Sequence, residues 1–113
     1  MSQNTWEKLA VEANYKPQQI ARLCNVSLRT VQRHFARDFG QTISEWLRVY
    51  RLNQAYSRII EGEQVKIVAY DLGFKQLSHF SRAFKQVHGV PPTMISRHGP
   101  TEEVRGPADL AIN

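Results

Sequence analysis

The sequence predicts an all-α chain, and three observations carry that reading. Apolar residues recur at helical spacing along most of its length. No stretch alternates apolar and polar residues as a half-buried strand does, and neither Asn-Gly nor Asp-Gly marks a hairpin. Glycines and prolines fall between the periodic segments rather than inside them.

The elements follow in order. Asn4 is expected to cap a first helix, with Glu7 three residues on completing a capping box. Trp6, Leu9, Ala10 and Ala13 then share one face. Lys16-Pro17 ends that helix, and Pro17 suits the first turn of the next, which presents Ile20, Ala21 and Cys24 and stops near Asn25. Ser27 caps a third helix with the stripe Leu28, Val31, Phe35 and Phe39, closed by Gly40. Residues 42–60 form one long helix of about 28 Å. Ile43, Trp46, Leu47 and Tyr50 begin its apolar stripe, Ala55, Tyr56, Ile59 and Ile60 continue it, and Gly62 ends it. Val65 to Leu72 is a short helix ending at Gly73. A sixth carries Phe80, Ala83, Phe84 and Val87 and stops at Gly89. Pro91-Pro92 opens a short seventh with Met94 and Ile95.

Composition narrows the function classes. The 113 residues carry 15 Lys and Arg against 10 Asp and Glu, a net charge of +5, but the charge is unevenly spread. Residues 1–98 hold 14 bases and 7 acids, whereas residues 99–113 hold one base and three acids and read as a disordered tail. The body is therefore basic enough to favour polyanionic partners. No apolar run reaches the roughly 18 residues of a membrane span, and the start lacks a signal pattern, so a reduced, cytoplasmic protein is expected. One cysteine, Cys24, excludes an internal disulfide and a cysteine-based zinc site; it reads as a small buried hydrophobe. His34 and Asp38 stand one turn apart, but two ligands do not make a metal site, and no phosphate loop, HExxH or nucleophile pattern is present. No cofactor, no metal and no catalysis are expected.

The chain repeats itself. Ile20-Ala21 and Val68-Ala69 lie 48 positions apart, whereas Val31, Arg33, Phe35 and Gly40 match Phe80, Arg82, Phe84 and Gly89 at 49. Each copy reads as short helix, tight turn, longer helix, with one extra residue in the second turn: a helix-turn-helix. The residue types suit that geometry. Ala21 and Ala69 allow close helix crossing, Asn25 and Gly73 accept positive φ, and Val31 and Phe80 anchor the second helix on the first.

The faces opposite the apolar stripes carry the chemistry. Arg29, Gln32, Arg33 and Ala36 share one on the third helix; Ser78, Ser81, Arg82 and Lys85 share one on the sixth. Such side chains can hydrogen-bond base edges in a major groove, and an Arg can pair bidentately with guanine. A solvated helix face is the bland alternative, but Arg33 and Arg82 occupy matched positions in two copies. Arg22, Arg37, Lys75, Lys85 and Arg97 are candidates for phosphate contact.

Residues 15–97 closely resemble the DNA-binding domain of the AraC/XylS family of bacterial transcription regulators. The resemblance is carried by Ile20-Ala21, by Ser27 to Phe35 and Gly40, by Arg51-Leu52 with Ala55, and by the run from Val68 through Phe74, Ser78 to Lys85, Gly89 and Pro91. It implies seven helices in two subdomains, 1–41 and 62–98, joined by a linker helix, 42–61, with both recognition helices (about 28–39 and 77–88) entering successive major grooves. It implies that Arg29, Gln32 and Arg33 read bases in the first unit and Leu77, Ser78 and Arg82 in the second. Gln76 stands where the family often has Asp, Thr42 where it often has Pro, and Ile95-Ser96 where Tyr-Arg is usual. A weaker cap on the sixth helix and looser reading by the second unit are therefore expected.

The expected function is sequence-specific double-stranded DNA binding in transcription regulation, as an activator. The expected partners are DNA, bound by a monomer, and RNA polymerase. The alternatives are a DNA-binding fragment of a larger regulator or repair protein, and a protein-interaction module without DNA reading. Repair alkyltransferases that resemble this family use reactive or zinc-bound cysteines that Cys24 does not supply. No small-molecule effector domain fits in the residues flanking the resemblance, so a short stand-alone regulator or a separate DNA-binding domain is expected.

Overall fold

The computed structural model describes residues 2–99. Among them are six α-helices: α1 (Gln3–Glu12), α2 (Pro17–Cys24), α3 (Leu28–Phe39), α4 (Ile43–Ile60), α5 (Val65–Asp71) and α6 (Leu77–His88). A single 3-10 turn over Pro92–Met94 follows, and no strand occurs among the described residues. The chain is all-α, as its periodicity predicts. The tail expected to be disordered lies outside the described residues apart from Gly99.

Two compact units meet inside α4, between Arg51 and Leu52. The first has an aromatic centre. Trp6 meets Phe35 edge to face at 5.0 Å, Phe35 packs on Trp46 at 5.3 Å, and Trp46 stacks flat on Tyr50 at 5.1 Å. Ala10, Ala13, Ile20, Ala21, Val31, Ile43 and Leu47 complete this core. In the second unit Leu52, Ala55, Ile59, Val65, Val68, Ala69, Leu72, Phe80, Phe84 and Pro92 are buried. Phe80 touches both Phe74, at 5.2 Å, and Phe84, at 5.7 Å. Truncating a ring such as Phe35 or Phe80 to Ala would cost about 3–5 kcal/mol, a large fraction of a small unit's stability.

Several expectations are corrected in detail. Asn4 does not cap α1: the Ser2 hydroxyl accepts the Thr5 N–H at 3.2 Å, so the helix starts earlier. Glu7 instead accepts a hydrogen bond from Gln3 Nε2. The chain leaves α1 through two consecutive left-handed residues, Asn14 and Tyr15, with no glycine. In α4 the stripe does not run straight on: Tyr56 and Ile60 are exposed, and Leu52 is buried in their place. Each unit selects its own face of the shared helix, so the phase set by Trp46 and Tyr50 cannot be extrapolated past residue 51. The last helix is only a 3-10 turn, with Pro92 buried and Met94 exposed. Adjacent prolines remove two backbone donors and leave too short a segment to propagate α geometry.

Candidate nucleic-acid interface

Both repeats fold by the same local rules. In the first, Pro17 opens α2 with no side-chain cap. Asn25 takes φ +57, and the Val26 N–H closes the turn on the Ala21 carbonyl at 3.1 Å. In the second, Gly73 takes φ +92 and the Phe74 N–H closes on the Ala69 carbonyl at 3.0 Å. These turn bonds are 48 positions apart, whereas α3 and α6 start 49 apart, at Leu28 and Leu77. The extra residue therefore lies after the turn bond and before α6. Gly40 and Gly89, both left-handed, end α3 and α6 at the same offset of 49.

The longer helices of the two units differ at their starts. Ser27 Oγ accepts the Thr30 N–H at 3.1 Å and caps α3. Gln76, the N-cap residue of α6, makes no side-chain capping bond, as its residue type predicts. Thr42 shows that the missing proline is not a defect, because its Oγ1 accepts the Glu45 N–H at 3.1 Å and caps α4.

Each face carries exposed cations over a buried floor. On α3, Arg29, Gln32, Arg33 and Ala36 are exposed above buried Val31 and Phe35. On α6, Ser78, Arg82 and Lys85 are exposed above buried Phe80 and Phe84, with Ser81 half-buried. Arg29, Arg33 and Arg82 enter no hydrogen bond or ion pair among the described residues. Their charge is not spent on a partner among those residues. Leu77 differs from the other candidates: it is half-buried in a groove that Phe74 and Tyr70 also line.

The other cations fall into two groups. Arg22, Lys75 and Lys85 are exposed. Arg37 donates to His34 Nδ1 at 2.8 Å and lies 3.6 Å from Asp38, so the spacing that hinted at a metal pair instead holds an arginine. Arg97 folds back on the α4–α5 corner, where a Cβ on Gly62 would sit 3.2 Å from its Nη1. That corner is further fixed by His98 Nε2 beside the Gly62 carbonyl at 3.1 Å.

One cluster has no signature in the sequence. Arg58 at the end of α4 donates to both carboxylate oxygens of Glu63 and, at 2.8 Å, to Asp71 at the end of α5. Their separations of 5 and 13 residues match no helical or strand period, so only the folded corner brings them together. Donating hydrogen bonds to Glu63 and then Asp71 raises the Arg58 pKa, and Arg58 in turn lowers that of Glu63. In the first unit, burial lowers the pKa of the Arg51 guanidinium. On α6, His88 Nε2 lies 3.0 Å from the Leu52 carbonyl, which ties the end of α6 to α4.

Comparison with known proteins agrees with this geometry. Residues 9–98 match the family described as a helix-turn-helix domain. The transcriptional activator RhrA of Rhizobium meliloti is 35% identical over 98 residues, which cover 80% of this chain and 31% of RhrA. The transcriptional regulator RipA of Corynebacterium glutamicum is 33% identical over 79 residues, covering 70% of this chain and 24% of RipA. The transcriptional activator RhaS of Mannheimia succiniciproducens is 30% identical over 88 residues, covering 77% and 33%. The chain thus spans about a third or less of these relatives. A solved protein of unknown function from Listeria innocua shares the fold, with a TM-score of 0.69 and 18% identity over 86% of this chain and 95% of its own. With two matched helix-turn-helix units and these relatives, the chain belongs to the AraC/XylS-type helix-turn-helix family of transcription regulators.

Proposed function

We propose that this chain is a transcription regulator that binds double-stranded DNA sequence-specifically through α3 and α6 in successive major grooves. One observation carries the reading: Arg33 and Arg82 stand exposed, and without partners among the described residues, at equivalent places in two helix-turn-helix units. Arg29, Gln32, Ser78 and Leu77 complete the base-reading set. Arg22, Lys75 and Lys85 meet phosphates, with Arg37 and Arg97 as further contacts. The chain acts as a monomer, in the cytoplasm, without catalysis, and recruits RNA polymerase.

Among the described residues no helix is long and apolar enough to cross a membrane, and no three His, Cys, Asp or Glu side chains gather to hold a metal ion. Selection from random duplex DNA tests the proposal. An asymmetric site with two elements about 10 bp apart is expected. Affinity should fall with salt by about 0.9 log units per log unit for each phosphate contacted. A pool with no enriched motif, or binding unchanged by salt, would overturn it.

A further inference from the structure

The outer side of α5 carries apolar residues that the core of the second unit does not use. Ile67 is 50% and Tyr70 78% exposed, and they stand one turn apart on the same side of the helix. With Phe74 and Leu77, both half-buried, they line an open groove of about 400 Å³. Lys66 and Lys75 flank it, and both are exposed and enter no hydrogen bond or ion pair among the described residues. Glu63 and Asp71, which precede and follow Lys66 in the chain, instead hold Arg58. The groove therefore offers apolar contact between two cations that no described carboxylate neutralises. Its complement is a segment that pairs aliphatic side chains with carboxylates.

The chain itself supplies such a segment, and from a nearby point. Its last described residues lie beside the start of α5, with Arg97 packed on Gly62 and His98 Nε2 3.1 Å from the Gly62 carbonyl. Residues 100–113 follow, and they hold Glu102, Glu103 and Asp109, one arginine, and the aliphatic residues Val104, Leu110 and Ile112. The seven residues of α5 rise only about 10 Å. From Gly99 the chain can reach about 13 Å by Glu103 and about 20 Å more by Asp109. We propose that residues 101–112 lie along this groove in the same molecule, with Glu102 and Glu103 beside Lys66, Asp109 at Lys75, and Leu110 and Ile112 on Tyr70 and Phe74. The tether gives the contact an effective concentration on the order of millimolar, so individually weak contacts suffice. Lys75 and Leu77 also belong to the set assigned to DNA, so the docked segment competes with DNA for the start of α6 and restrains binding. The docking rests on the groove alone; only the competition rests on the proposed DNA reading.

The test uses the intact chain and two double variants. Leu110→Ser with Ile112→Ser removes the aliphatic contact without changing the charge. Glu102→Gln with Glu103→Gln removes the carboxylates that face Lys66. In nitrogen-15 spectra recorded without DNA, both should shift the amide signals of Lys66, Ile67, Tyr70 and Lys75 and leave those of α3 still. In the parent, the Leu110 and Ile112 methyl groups should show nuclear Overhauser contacts to the Tyr70 ring, and mixing labelled with unlabelled chains shows whether these arise within one molecule. A segment docked three-quarters of the time lowers apparent DNA affinity about fourfold. The Leu110→Ser with Ile112→Ser variant should therefore bind the selected duplex tighter by about that factor. Groove signals unmoved by both variants, or contacts between molecules only, overturn the docking whatever the chain does with DNA. Tighter binding in the glutamine variant alone would reflect lost charge repulsion and overturn the competition, as would unchanged affinity in both.

Discussion

Replacing Arg33 by Ala separates a base-reading side chain from a solvated one. Arg33 is exposed and makes no hydrogen bond or ion pair among the described residues, so its removal leaves no buried group unsatisfied. Folding stability should change by no more than about 0.5 kcal/mol. If Arg33 reads a guanine bidentately, affinity for the selected site should fall by about 1–3 kcal/mol, or roughly 5- to 150-fold. Arg33→Lys keeps the charge and loses the planar fork, so it should restore little of the discrimination. Arg82→Ala should cost less, because α6 begins without a side-chain cap and its neighbour Leu77 is half-buried. The assay is equilibrium titration of labelled duplexes carrying the selected site and each single-base variant, at two salt concentrations, alongside urea unfolding. The reasoning is refuted if Arg33→Lys binds every variant as the parent does, since charge alone would then suffice. It is refuted equally if Arg82→Ala costs as much specificity as Arg33→Ala.

Two further predictions concern the frame behind the reading faces. Gln76→Asp places a carboxylate where α6 has extended N-cap geometry and no side-chain bond, and should stabilise the second unit by about 1 kcal/mol in urea or thermal unfolding; no gain would show that this N-terminus is already satisfied. Arg58 holds the Glu63 pKa below its ordinary value of about 4.3, so the unfolded chain binds that proton more readily than the folded one. The stability Glu63 contributes is thus present above about pH 4.3 and is lost as pH falls through its folded value. Unfolding measured from pH 7 to pH 3 should show Glu63→Gln less stable than the parent at neutrality and converging on it in acid, and a constant gap would contradict this.

Much of the chain was legible because helix-turn-helix units are built from short-range rules. Ser27, Gly40 and Pro17 set helix ends through their own backbone preferences, and all three stand where those preferences place them. The turn residues Asn25 and Gly73 announced positive φ, and both have it. The one-residue difference between repeat offsets was visible as letters and reappears as a delayed start to α6. Asn4 was misread because Ser2 and Asn4 are both good caps, and sequence ranks them without knowing which hydroxyl or amide reaches a free N–H.

By itself the sequence determined the all-α class, the paired units and the cations that face outward. All of these follow from periodicity, turn chemistry and residue type. Only the tertiary structure decided which side of α4 each unit buries, how Arg58 joins Glu63 and Asp71, and that Lys66 and Lys75 flank one apolar groove. Those features depend on groups brought together across turns, and no local spacing encodes the distance that chain reversal leaves between them.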